Sequence, residues 1–338
     1  MSNVEEHPAE VQCEAGRATE PVQVLVPREV PLGGLRAMRV RRTLPSRERS
    51  LIGAWCFADH YGPDEVSVTG GMSVAPHPHT GLATVSWLFT GTVEHRDSAG
   101  NHAMVRPGEL NLMTAGAGIS HSEVSTADTT VLHGVQLWVV SPEHTRHGER
   151  RFDHHVPEPV TGDGWTARVF LGSLLGSTSP VATDTPLLGA EITLDPDTEL
   201  VADVPADFEL GVLVDHGTVT AAGQRLVAGE LGYLAPGNER ISLHSGDSGQ
   251  DGNAGARVIL LGGPPFGESI VMWWNFIGRD HDEIVRYRVE WQAQLRDGDG
   301  VVSDSQLMAS GPYGIPVGDH LPPIPAPPMP GGRLKHRR

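Results

Sequence analysis

The sequence predicts an all-β protein built from two β-barrels of similar size in one chain, followed by a short C-terminal helix. Three observations carry this. Apolar or alternating runs of strand length recur along the 338 residues, separated at short intervals by Gly, Pro, Asn and Asp. The runs fall into two series with a similar layout. Near the C-terminal end, one segment instead carries a helical period and a cap.

Residues 1–21 are acidic and polar without periodicity and are expected to form a disordered tail. The first series includes Val22–Val26, Ala83–Phe89 and Val131–Val140, and assigns 22–160 to an N-terminal barrel. Ala167–Leu171, Glu191–Thr193, Leu210–Val214 and Val258–Leu261 assign 161–300 to a second barrel. Each series holds a Pro-Gly pair between strand-like runs, Pro107-Gly108 and Pro236-Gly237. In such a turn Pro presets the first corner and Gly takes positive φ. The helix is read from Asp280 as cap, Glu283 three residues on, and Ile284, Tyr287, Trp291 and Leu295 on one face. It is expected to pack against the second barrel. Residues 301–338 are proline-rich and expected to run extended, their basic end solvated.

Composition removes several functions. A net charge of −17 and a pI near 5.4 argue against direct nucleic-acid binding, which rests on cationic contacts to phosphate. The longest apolar runs are strand-sized, far short of the roughly 20 residues of a membrane-spanning helix. Cys13 and Cys56 are too few for a disulfide framework, and the start has neither a basic nor an apolar signal segment. A reduced, cytoplasmic monomer is the expectation. Lys335 is the single lysine, which removes Schiff-base and phosphate-loop chemistry.

The stretch from Ala75 to Glu123 holds the chemistry. Alternate side chains of a strand share a face, so His77 and His79 point the same way, roughly 6–7 Å apart. His121 and Glu123 repeat the spacing. Brought together on neighbouring strands, the four offer three imidazoles and one carboxylate to a divalent ion such as Fe, Mn, Co, Ni or Cu. A lone His-x-His is more commonly a hydrogen-bonded pair, and the second motif is what shifts the balance. Parity extends the reading: His77, His79, Ala83, Val85, Trp87 and Phe89 are all odd-numbered, which predicts imidazoles at a barrel mouth and apolar residues deeper on the same face. His144, His147, His154 and His155 read as a solvated loop.

These segments resemble the pirin branch of the cupin superfamily. The resemblance is carried by HPHTG, TVEHRDSAGN, PGEL and TAGAGISHSE, and extends through WCFADHYGP, HGVQLWV, GGPPFGESIVMWWNFIGRDHDEI and PAPPMP, covering nearly all but the N-terminal tail. It implies two facing cupin barrels with one metal, usually Fe(II), in the first, held by His77, His79, His121 and Glu123. The second barrel lacks His-x-His; its His216 and His244 stand alone, and it is expected to be empty of metal. Ala83 departs from the glutamate that many cupins carry after His-x-His. His60 and His95 lie near the pocket but outside the ligand motifs and are expected to be packing or supporting residues, because a fifth ligand would close the open position that catalysis needs. The resemblance implies quercetin 2,3-dioxygenase activity, in which a flavonol reacts with O2 and carbon monoxide leaves, with Glu123 as catalytic base as well as ligand. The alternative it implies is a non-enzymatic, iron-dependent regulator that binds a protein partner.

Overall fold

The computed structural model describes residues 22–32, 38–246, 255–295 and 312–337, so the expected tail at 1–21 and the start of the proline-rich segment, 301–311, lie outside the described residues. Two barrels of the same build follow one another. The first opposes a seven-stranded and a four-stranded sheet. The large sheet runs Arg151–His155, Leu110–Thr114, Leu82–Thr90, Val131–Val140, Trp55–Glu65, Met38–Leu44, Arg28–Leu32. The small one runs Ser73–His79, Ile119–Ser125, Val93–Asp97, His102–Val105. The second barrel repeats seven strands against four, with Glu209–His216, Ala256–Gly263 and Leu188–Leu194 at the centre of its large sheet. The short strand Gln23–Leu25 precedes the first barrel in sequence yet pairs with Leu231–Leu234 of the second.

The barrels meet through their large sheets. Val85, Trp87, Phe89, Val135 and Leu137 of the first pack in one buried cluster with Phe170, Leu213, Tyr233, Ile259 and Leu261 of the second. At about 1.5–3 kcal/mol for each fully buried large apolar side chain, this shared core is a main reason the two barrels form one body. Trp87 also donates from Nε1 to Glu191 Oε2 across it, at 2.7 Å.

That placement corrects the parity reading. Ser73–His79 and Leu82–Thr90 are separate strands in different sheets, divided by Thr80-Gly81. Gly81 adopts φ +66°, and a Cβ there would come within 2.5 Å of the Ile277 carbonyl oxygen. Alternation holds only within a strand, so the turn resets which parity faces inward. The odd residues of Leu82–Thr90 face the other barrel, while Ser86 and Leu88 face the interior, Leu88 packing there with Val74, Val93 and Tyr61.

The helix spans His281–Gln294, capped by the Asp280 side chain accepting from the Glu283 amide, with Ile284, Tyr287 and Trp291 buried as read from the pattern. Its partner differs from the expectation. The apolar face is covered by Val271, Trp273, Trp274 and Phe276 of the preceding hairpin and by Tyr313 and Ile315, and this aromatic cluster sits on the first barrel. Ile277 donates its amide to the Thr80 carbonyl, and Arg146 reaches Glu283 Oε1 at 2.9 Å. The proline-rich segment is extended but tied down. Ile324 donates its amide to the Pro76 carbonyl, and Trp291 Nε1 donates to the Ile324 carbonyl. The basic end is solvated at Arg333, Lys335 and His336, as expected, but tied down at Arg337, which is buried and exchanges two backbone hydrogen bonds with Ile270. No helix among the described residues is long and apolar enough to cross a membrane.

Candidate metal centre

The small sheet of the first barrel assembles the centre. Ser73–His79 pairs antiparallel with Ile119–Ser125 so that His77 stands opposite His121, and Val93–Asp97 flanks the other side with His95 opposite Glu123. A register irregularity falls between His121 and Glu123, on the edge shared with Ser73–His79. Irregularities of this kind re-aim side chains next to sites. His77, His79, His121 and Glu123 are each at most 1% exposed.

Candidate ligand atoms of His77, His79 and His121 all lie within 4.8 Å of one another, as do those of His95, His121 and Glu123. The two trios share His121, so the four residues named from sequence fall into one cluster of five with His95, Glu123 joining through His121 and His95. His79 Nε2 is 3.1 Å from His121 Nε2. His77 donates from Nδ1 to the Ala75 carbonyl at 2.9 Å, and His79 donates from Nδ1 to the Asn275 carbonyl at 3.2 Å. Each bond fixes the tautomer that leaves the Nε2 lone pair facing the cluster, the arrangement by which metal-ligating histidines are oriented. His77 Nε2 is buried with no hydrogen-bond partner among the described residues, and an orphaned acceptor of this kind fits a metal ion. Burial lowers the His77 pKa to about 3 and holds His79 and His121 well below the ordinary imidazole range, keeping all three neutral, the state in which imidazole binds metal.

The Pirin family profile matches residues 36–139, and the profile of the Pirin C-terminal cupin domain matches residues 189–296. A Pseudomonas aeruginosa protein named "Putative quercetin 2,3-dioxygenase" is 41% identical over 272 residues, covering 80% of this chain and 84% of that protein. This chain belongs to the pirin family. Human pirin is 30% identical over 224 residues, covering 62% of this chain and 72% of its own length. Among solved structures, a quercetin 2,3-dioxygenase from Acinetobacter baumannii superposes with a TM-score of 0.82 at 33% identity, covering 94% of this chain and 98% of that one. The pirin fold is therefore the bicupin expected from the motifs.

Around the ligands, this pirin places residues that sequence reading did not single out. Ser86 donates from Oγ toward Glu123 Oε1 at 3.1 Å and lies 2.8 Å from Gln136 Oε1. The signal in the sequence is the pair of polar residues Thr84 and Ser86 at even positions of Leu82–Thr90, opposite in parity to the apolar face expected to line the barrel. Ala83 does not face the cluster at all. It lines a cleft between the barrels with Leu112, Val139, Arg151 and Leu187, so a glutamate at this position would point away from the imidazoles. Trp138 approaches His79 at a centroid distance of 5.1 Å, and Phe152 approaches His95 at 4.9 Å.

His95 and His60 part company. His95 lies within the second trio, its Nδ1 3.4 Å from His121 Nδ1 and its Nε2 3.3 Å from Asp97 Oδ2. His60 faces the other barrel, where His60 Nε2 and His133 Nε2 each lie 2.6 Å from Asp215 Oδ1. Arg257 Nε donates to Asp215 Oδ2 at 2.8 Å, and Arg41 reaches His60 at 3.2 Å. These two guanidinium groups already bring positive charge to the carboxylate, so the trio reads as an inter-barrel ion pair rather than a cation site. His216 is drawn into the same pair, 3.2 Å from Asp215 Oδ2, and so does not stand alone. Of the remaining histidines, His144 and His147 lie in an exposed turn, whereas His154 and His155 belong to the strand Arg151–His155 rather than a loop.

Proposed function

We propose that this pirin is a metal-dependent dioxygenase of the quercetin 2,3-dioxygenase type, with His77, His79, His121 and Glu123 holding one divalent ion, Fe(II) foremost and Mn, Co, Ni or Cu as substitutes. The observation that carries the reading is the buried trio of neutral imidazoles with an oriented carboxylate beside it. The names of the P. aeruginosa and A. baumannii relatives support the substrate class, a flavonol such as quercetin reacting with O2.

An ion bound there supplies Lewis acidity toward a substrate hydroxyl and lowers its pKa. The chain's own residues do the rest. Glu123, buried beside the imidazoles, receives the proton of that hydroxyl, for which a carboxylate must lie within direct or one-water reach. The Ala75 and Asn275 carbonyls keep the ligand nitrogens aimed. Trp138 and Phe152 supply apolar walls beside His79 and His95, which exclude water and strengthen electrostatic interactions inside. His95 stays outside the ligand set, turned between Asp97 and His121.

Anaerobic reconstitution with Fe(II), followed by addition of quercetin and O2, tests the proposal. Loss of the flavonol's visible absorbance with stoichiometric carbon monoxide is the expected result. A fully metallated protein that leaves quercetin unchanged overturns it.

A further inference from the structure

Inside the first barrel, one hydroxyl joins the two sheets. Ser86 lies on the large sheet and Glu123 on the small one, and Ser86 Oγ spans them, 3.1 Å from Glu123 Oε1. On its other side it lies 2.8 Å from Oε1 of Gln136, the residue directly opposite Ser86 on the neighbouring strand. Ser86, Gln136 and Glu123 are 6%, 1% and 1% exposed. The Gln136 Nε2 is buried with no hydrogen-bond partner among the described residues.

A hydroxyl carries one proton and cannot donate to both oxygens. The two ends of a side-chain amide are distinguished only by the network they enter. Turning the Gln136 amide end for end resolves both difficulties: Nε2 then donates to Ser86 Oγ, and Ser86 donates its proton to Glu123 Oε1. One N–H of Gln136 and the Ser86 hydroxyl then form a single donor chain that ends on the carboxylate.

We propose that Gln136 and Ser86 form a donor relay that pins Oε1 of Glu123 and so sets how its carboxylate presents to the nitrogens of His77, His79 and His121. Both are positioning residues, and the inference rests on the assignment of Glu123 as a ligand. A carboxylate able to rotate about its last bond can switch between one- and two-oxygen ligation. Hydrogen bonds to ligating carboxylates restrict that freedom and tune the metal. The role falls to Ser86 because it is a hydroxyl on the inward face of its strand, whereas Ala83 faces the other barrel.

The test uses full-length protein stripped of metal and titrated with Co(II), reading the visible absorption bands of the bound ion and its dissociation constant by chelator competition. Ser86→Ala is expected to weaken binding by about 10–100-fold and to alter the Co(II) bands. Ser86→Thr, which keeps the hydroxyl, is expected to restore both. Gln136→Met, close in length to glutamine but unable to donate, is expected to move the spectrum in the same direction, and it carries the test if Ser86→Ala does not fold. Wild-type affinity and bands in Ser86→Ala, alongside altered ones in Glu123→Ala, overturn the relay while leaving the ligand assignment standing. Unchanged bands in Glu123→Ala overturn the ligand assignment itself, and the relay falls with it.

Discussion

His79 of the first barrel donates its Nδ1 proton to the backbone carbonyl of Asn275, a residue 196 positions further along the chain, at 3.2 Å. A candidate ligand is therefore oriented by the hairpin that leads into the C-terminal helix. Phe276, the next residue, is fully buried between Trp274, Tyr287 and Tyr313 and holds that carbonyl in place. Phe276→Ala is expected to cost about 3–5 kcal/mol of stability through the cavity it leaves. It should also weaken metal binding by roughly tenfold or more, because a ligand's orienting partner is loosened although no ligand is touched. Thermal unfolding and chelator competition on the same variant check both parts.

Direct removal of ligands gives the sharper outcome. His79→Ala and His121→Ala are expected to remain folded and lose bound metal, as measured by elemental analysis after reconstitution. Folded variants that keep wild-type metal content would place the ion elsewhere. Glu123→Gln keeps the shape and an oxygen donor but cannot take a proton. Its kcat should fall by about 10²–10⁴-fold, the usual contribution of general acid–base catalysis, with a much smaller change in KM.

His95 poses the question of ligand number. It lies as near to His121 and Glu123 as a ligand would, yet it also faces Asp97. His95→Gln is expected to leave one metal per chain and to weaken its affinity by roughly 10–100-fold, the range for supporting partners. A loss of stoichiometry would make His95 a fifth donor and remove the open position on which the dioxygenase reading depends.

What was legible in the sequence was spacing within a strand, and what was not was where strands change sheets. The alternation of His77 with His79 and of His121 with Glu123 is local, and the structure brings those residues together. The inward face of Leu82–Thr90 depends on the turn at Gly81, whose φ of +66° no periodicity reports. The helix cap and its buried face are likewise local, and they are where the pattern put them. Its packing partner is not local, being decided by Trp273, Trp274 and Phe276 upstream and Tyr313 downstream. Asn275 and Ser86 were missed for related reasons. The first acts through its backbone, and the second faces inward only once the strand is correctly placed.

The inter-barrel pair makes acid stability a test of how the two halves are held. Burial alone would raise the pKa of Asp215, but hydrogen bonds from His133, His216 and His60 outweigh it and hold the carboxyl far below the usual range. A carboxyl whose folded pKa is depressed contributes stability that is fully present above its unfolded pKa, about 3.9, and that is lost progressively as pH falls toward the folded value. His60 is likewise held below the ordinary imidazole range, chiefly by burial, and stays neutral in the fold. Below about pH 6.5 the unfolded chain takes up a proton at His60 that the folded chain resists, so this group also lowers stability as pH drops. Asp215→Asn removes the charge while leaving the half-buried Arg257 and the two buried imidazoles without it. It is expected to cost about 3–5 kcal/mol at neutral pH, the range for breaking one side of a buried pair. Its stability should also fall less steeply than wild type below pH 4, because the carboxyl responsible for that limb is gone. Chemical denaturation from pH 3 to 8 measures both. Parallel pH curves for variant and wild type would show that Asp215 is not the group whose protonation loosens the barrels.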